Sequence, residues 1–357
     1  MTDGSEDAQP KRPGAHMRRE IGEQPEAIRV TVDAESGRID DLVARLVAER
    51  IGHVLIAARG TSDNAALYGI YMLGAIARKL AAPVSPSLLT CYDADIDLRD
   101  TMVLGVSQSG KATDVIEVLD AGRRRGAVTC ALTNMAHSPI CEAADHVLLT
   151  HANEEVSVAA TKTYTTALAV LHQLATRWGG RPDLADQIHR VPVWLQETLA
   201  TEPVIADHAE RFRFMETCHW LARGINFCTA KEAALKMAEC CYVVPSAFST
   251  ADFMHGPIAS TEPGFPCFVV LPKGRAFATV SEVVDALEER GAELVVVSND
   301  PASVARGRVG FAIPDMPEEC SPMAAAIIGQ LLALHIALEK GLDPDQPRGL
   351  SKVTLTL

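Results

Sequence analysis

Two groups of residues have the types and spacing that chemistry needs. The first is Ser107-Gln108-Ser109-Gly110, set between an apolar run at 102–106 and an amphipathic stretch that starts near Lys111. A buried strand that ends in small hydroxyl residues and turns into a helix makes an anion site. The unpaired amides of the first helical turn point at the ligand, and the hydroxyls of Ser107, Ser109 and Thr113 add donors. Gly110 lets the backbone come close. The alternative is an ordinary strand–turn–helix with a serine N-cap. A second junction of this kind, Arg59-Gly60-Thr61-Ser62-Asp63-Asn64, follows the apolar run at 53–58. The second group is Glu232, Lys236 and Glu239, inside a helix expected over 229–242. Spacings of four and three bring all three near one helix face. Their neighbours (Ala233, Ala234, Leu235, Met237, Ala238, Cys240, Cys241) are small or apolar, so the helix reads as buried on most sides, where charges need a reason. The alternative is a solvated salt-bridge stripe. Thirteen residues after Tyr242 comes His255-Gly256-Pro257, a histidine at a turn.

The elements that position these groups must come from a chain of 357 residues, long enough for two domains with their own cores. No apolar run approaches the roughly 18 residues of a membrane span. The start of the chain lacks an apolar signal region, and a cytoplasmic protein without a membrane segment is expected. Nine cysteines are scattered, mostly in apolar runs, and none forms CxxC. That pattern reads as reduced core thiols, and no metal or other cofactor is expected. The net charge of −13 argues against a nucleic-acid partner. It also means that an anionic ligand must be held by local dipoles and hydroxyls.

Residues 1–15 are polar, with Gly and two prolines, and read as a disordered tail. A helical segment follows over 16–45, within which Pro25 suits the first turn of a helix. Strands are expected at 53–58, 102–106, 128–132 and 146–150. Helices are expected from the second junction to about Leu80, from about Lys111, and from about Val158 to Arg177. Strands that are apolar without alternation, separated by helices, make an α/β fold with a parallel sheet covered on both faces. A linker helix is expected within 181–210.

The second half repeats the first. Ala58-Arg59-Gly60 recurs as Ala222-Arg223-Gly224, and Gly110-Lys111-Ala112 as Gly274-Arg275-Ala276, both at an offset of 164. At 165, Arg125-Gly126-Ala127 matches Arg290-Gly291-Ala292, and Thr133-Asn134 matches Ser298-Asn299. Two copies of one α/β domain are implied. Where the first copy has Ser107-Gln108-Ser109, the second has Leu271-Pro272-Lys273, with fewer hydroxyls and one amide removed. The anion loop is therefore expected in the first copy alone.

Taken together, the motifs resemble the SIS (sugar isomerase) domain family. They are Met17-Arg-Arg-Glu-Ile-Gly-Glu-Gln-Pro25, Gly60-Thr61-Ser62, Ser107-Gln108-Ser109-Gly110, Glu155-Val-Ser-Val-Ala-Ala-Thr161-Lys162, Lys231-Glu-Ala-Ala-Leu-Lys236-Met-Ala-Glu239, His255-Gly-Pro257 and Asp345-Gln-Pro-Arg-Gly-Leu-Ser-Lys352. The resemblance runs from about residue 16 to the end, and is strongest to the isomerase half of glucosamine-6-phosphate synthase and to stand-alone deaminases. It implies two tandem flavodoxin-like SIS domains, at 46–180 and 211–340, with a tail at 341–357 over the active site. It further implies that Thr61, Ser62, Ser107, Gln108, Ser109 and Thr113 hold a sugar phosphate, and that Val158 and Ser351 contact it. Glu239 would be the base that moves a proton between C1 and C2, supported by Glu232 and Lys236. His255 would open the sugar ring, acting from the neighbouring subunit of a homodimer. Lys352 would lie at the C1–C2 end, as a Schiff-base former or as a stabiliser of the enolate oxygen.

The chain departs from the family pattern at Ala160, where a serine is common, and at Gly349 and Ser351, which replace Asn and Ala. No N-terminal cysteine or glutaminase domain precedes the SIS pair in this sequence. The expectation is an amino-sugar-phosphate deaminase/isomerase that releases ammonia from glucosamine 6-phosphate or a close relative and yields fructose 6-phosphate. A fructosamine-6-phosphate deglycase is the second enzyme reading. A sugar-phosphate-sensing regulator is the reading from another class.

Overall fold

The computed structural model of the chain describes residues 12–352. The disordered-tail expectation for residues 1–11, and that part of the tail at 353–357, lie outside the described residues.

Two parallel five-stranded sheets form the frame. The first contains β1 (His53–Ala57), β2 (Leu80–Pro83), β3 (Thr101–Val106), β4 (Val128–Thr133) and β5 (His146–Leu149), in the order β2-β1-β3-β4-β5. The second contains β6 (Thr217–Ala222), β7 (Val244–Ser249), β8 (Pro266–Val270), β9 (Glu293–Ser298) and β10 (Val309–Ala312), in the order β10-β9-β8-β6-β7. Strand for strand the two orders are the same, so the repeat in the sequence is a repeat of topology. Both are the doubly wound order 2-1-3-4-5, whose switch point lies between the first and third strands. The expected α/β class with tandem flavodoxin-like units is what the chain adopts.

The strands are apolar along their whole length because both faces are covered. In β3 every residue is buried. Met102, Leu104 and Val106 enter a central core, while Val103 enters an outer one with Val115, Val118 and Leu119. In β8, Phe268 and Val270 join the same central core, and Cys267 and Val269 face Val280, Val283 and Val284. The two sheets thus share one core, filled by helices between them. The helices that matter for the site are α1 (Ala15–Gly22), α2 (Gln24–Ala48), α3 (Thr61–Ala75), α4 (Thr113–Arg124), α5 (Lys162–Trp178), α6 (Phe227–Cys241), α7 (Phe277–Glu289) and α8 (Ser321–Glu339). In the central layer α2 packs on α5, and α6 packs on both α3 and α8. A Cβ on Gly329 would come within 2.8 Å of Ala233, so glycine is what lets α8 approach α6.

Four expectations are corrected. α8 is long and apolar enough to cross a membrane by composition, with mean hydropathy 1.7, although no such run was expected. It is 94% buried inside the protein and serves as its core helix. The helix expected to reach Leu80 stops at Ala75, and 80–83 is the short edge strand β2. Arg78, with φ of 56°, turns the chain back into the sheet. α5 starts at Lys162, leaving Val158 in a loop. The linker helix is five short helical pieces between Pro182 and Phe212, and three of them have a proline in their first turn (Pro182, Pro192, Pro203). A proline has no amide to continue the helix before it, so each ends one piece and starts another.

Candidate active site

The first loop is built as its residue types require. Ser107 is buried, and its Oγ accepts from the Gly110 amide at 3.2 Å, while Ser109 Oγ accepts from the Lys111 amide at 3.3 Å. Gly110 has φ of 64°, and a Cβ there would fall 2.0 Å from Ser138 Oγ, so no other residue fits. α4 begins just beyond, at Thr113, with its amides directed back toward the loop. Across the switch point, Gly60 (φ 56°) turns the chain from β1 into α3. Arg59 Nε donates to the buried Asp114 Oδ2 at 2.7 Å, tying the two loops together.

The second group comes from the other sheet's domain. α6 carries Glu232, Lys236 and Glu239 on one face, as the spacing predicts, and that face meets α3. Lys236 is fully buried. Its Nζ donates to Glu239 Oε2 at 2.5 Å and to Thr61 Oγ1 at 3.2 Å, and lies 3.4 Å from Glu232 Oε1. Glu232 also accepts from Asn64 Nδ2 at 2.8 Å and from Thr61 Oγ1 at 3.1 Å. Burial favours the neutral amine, but the two carboxylates outweigh it and push the Lys236 pKa above the ordinary lysine range. Burial pushes the Glu232 carboxyl upward, opposed by Lys236 and Asn64. The set is not a solvated stripe. It is a buried charge network joining one copy's helix to the other copy's loop through Thr61.

Both groups open onto one cleft with about 330 Å³ of free volume. Its walls include Thr61, Ser62, Ser107, Gln108, Ser109, Val158, Glu239, Ser351 and Lys352. Nine of the residues singled out in the sequence therefore converge on one place. Two do not line it. Thr113 follows Ala112, which does. His255 is exposed at the turn after the short helix Thr250–Met254, outside its own chain's cleft. Glu232 and Lys236 stand behind Glu239. Sequence reasoning missed Arg59, which lines the cleft; its recurrence as Arg223 in the second copy was the available signal.

The matching loop of the second copy is closed from within. The Arg275 amide, equivalent to that of Lys111, donates to Glu318 Oε2 at 2.8 Å. A Cβ on Gly274 would collide with the same carboxylate. An internal carboxylate thus takes the amide whose counterpart in the first copy donates to the Ser109 hydroxyl.

Two doubly wound α/β units, one with an amide-and-hydroxyl loop at its switch point and the other supplying a charged helix, define a tandem domain class with its cleft between the copies. The chain belongs to the SIS domain family, which matches residues 49–177 and 218–340, one stretch on each sheet. It is 32% identical over 348 residues to a glutamine–fructose-6-phosphate aminotransferase (isomerizing) of Thermococcus kodakarensis, covering 94% of this chain and 57% of that protein. The chain therefore spans little more than half of that relative. A solved structure from Silicibacter pomeroyi, assigned as a phosphosugar isomerase, superposes with a TM-score of 0.85 at 30% identity, covering 92% of this chain and 99% of that one. A glucosamine-6-phosphate deaminase from Thermotoga maritima shares the fold at a TM-score of 0.73 and 19% identity, covering 96% and 100%.

Proposed function

We propose that the chain is a phosphosugar isomerase/deaminase that converts glucosamine 6-phosphate, or a close amino-sugar phosphate, to fructose 6-phosphate and ammonia. The observation that carries this reading is the cleft itself: an anion-type loop at one end, and a carboxylate and an ammonium at the other. The similar proteins named above handle phosphosugars by their names, and one is a deaminase of nearly the same extent as this chain.

The phosphate sits at the N-terminal end of α4, against the amides and hydroxyls of 107–110. Its binding energy positions the sugar carbons. His255 moves a proton between O5 and O1 to open the ring. Because it lies outside its own chain's cleft, we assign it to a second copy in a homodimer. Glu239, held through Oε2 by Lys236, takes the C2 proton and returns it to C1. Lys352 keeps a positive charge at that end for the oxygen that becomes anionic. Water then adds to the resulting ketimine, and ammonia leaves.

The test is ammonia release from glucosamine 6-phosphate, galactosamine 6-phosphate and a fructosamine 6-phosphate, with and without glutamine. Ammonia from the first substrate without glutamine is expected. An amine product from the third alone would replace this reading with a deglycase, and binding without turnover would replace it with a sensor. Mixing His255→Ala with Glu239→Gln chains tests the shared site. Random pairing should restore about a quarter of wild-type activity, and none if each chain works alone.

A further inference from the structure

The third charged group on the cleft wall, Lys352, is not free. Its Nζ donates to Glu155 Oε2 at 2.7 Å and to the Ser157 carbonyl at 2.7 Å. Glu155 has no exposed side-chain surface, whereas Lys352 keeps about a quarter of its own. The carboxylate also has partners other than the lysine. It accepts from the amides of Thr161 and Thr163 at 2.9 and 3.1 Å, and from the hydroxyls of the same residues at 3.3 and 2.8 Å. The loop bearing it is pinned from behind, since buried Glu20 on α1 accepts from the amides of Val156 and Ser157 at 2.5 and 3.1 Å. The next residue, Val158, lines the cleft.

The chain leading to Lys352 is held at two earlier points. Asp343 accepts from the Gly14 amide at 2.9 Å, and Asp345 from the amides of His16 and Met17, both at 2.8 Å, capping the first turn of α1. The Arg348 amide donates to Tyr242 Oη at 2.7 Å, and its guanidinium lies 3.9 Å from the ring centre. Beyond Arg348, Glu155 is the buried charged group that receives the tail. The Leu350, Ser351 and Lys352 it brings in form one wall of the cleft.

We propose that Glu155 is the positioning residue that seats Lys352, so that the C-terminal tail closes the cleft through one buried ion pair. The seat itself stands on contacts within the chain. Its effect on turnover rests on the phosphosugar reading above. The buried carboxylate, held by its own amide and hydroxyl partners, is a fixed acceptor for the lysine, and the lysine brings Leu350 and Ser351 to the cleft wall with it.

The experiment is hydrogen–deuterium exchange of the segment 341–352 in the full chain, alone and with fructose 6-phosphate, for wild type, Glu155→Gln and Lys352→Met. Glu155→Gln keeps the shape but removes the charge; Lys352→Met leaves Glu155 and its loop untouched, so the pair is tested even if the first variant folds poorly. Expected is fast exchange at 349–352 in both variants, with 343–345 still protected. Turnover of Glu155→Gln, once a substrate is in hand, should fall about 10²-fold in kcat with KM within a few-fold, the mark of a misplaced rather than a missing contact. The double variant should be no worse than Lys352→Met alone. Wild-type protection of 349–352 in Glu155→Gln, or losses that multiply in the double variant, would overturn the seat. An enzyme inactive on every amino-sugar phosphate would sink the phosphosugar reading and leave the exchange result standing.

Discussion

Lys236 is surrounded by oxygens of Thr61, Glu232 and Glu239, and this decides how Glu239 can work. One carboxylate oxygen is tied to a buried ammonium, which fixes the side chain at the cleft wall as a base must be fixed. Glu239→Gln keeps the shape and removes the basicity. Turnover is expected to fall by about 10²-fold or more, while calorimetry still detects sugar-phosphate binding; full activity would remove Glu239 from the proton transfer. At the other end of the cleft, Ser109→Ala should raise KM more than it lowers kcat. An unchanged KM would move the phosphate to another part of the cleft. The i, i+3, i+4 pattern on α6 was legible because helix geometry is local. Thr61 appeared only as a ligand hydroxyl, because its tie to Lys236 joins residues 175 positions apart.

At the scale of elements, the two copies show what the fold needs and what the site adds. Both place a glycine at the turn after the third strand of the sheet. In the first copy the amide after that glycine donates to the Ser109 hydroxyl; in the second the equivalent amide donates to Glu318. Gly110→Ala tests the first turn directly. A positive φ and a Cβ 2.0 Å from Ser138 Oγ cannot both be accommodated, so about 1–3 kcal/mol of stability should be lost. A lower melting temperature and a raised KM are expected together; a melting temperature equal to wild type would mean that the loop relaxes freely. The strands, helices and repeat were legible because apolar runs and turn residues are local signals. The edge strand β2 was not, since Leu80-Ala-Ala-Pro83 has neither length nor β-branched residues to distinguish it from the end of a helix.

For the whole molecule, residues 343–345 meet the start of α1, and the segment 343–352, α1 and the loop at 155–161 form one hydrogen-bonded unit beside the cleft. Its acid sensitivity follows from Glu155. Burial alone would raise that carboxyl, but Lys352 and the Thr161 and Thr163 amides more than offset it, and its pKa is lowered. A group with a lowered folded-state pKa contributes stability above its unfolded value, of about 4.3, and loses it as the pH falls through the folded value. The difference in unfolding free energy between wild type and Glu155→Gln should therefore be constant from about pH 6 to 8 and shrink below about pH 4. Urea titrations across that range check it; a difference that grows in acid would reverse the assignment.

The sequence by itself determined the α/β class, the duplication, the family and the loop that differs between the copies. All of these rest on short-range patterns of apolar, glycine and hydroxyl residues. It also determined which helix face carries the charges. Only the tertiary structure decided that the loop of one copy and the helix of the other face a common cleft, because that requires α3 and α6 to pack in the shared core. Only the tertiary structure seated Lys352 on Glu155, through a contact between residues 197 positions apart. It likewise showed His255 exposed and outside its own chain's cleft. Such contacts leave no local trace in the sequence, since the partners share neither a helix turn nor a strand register.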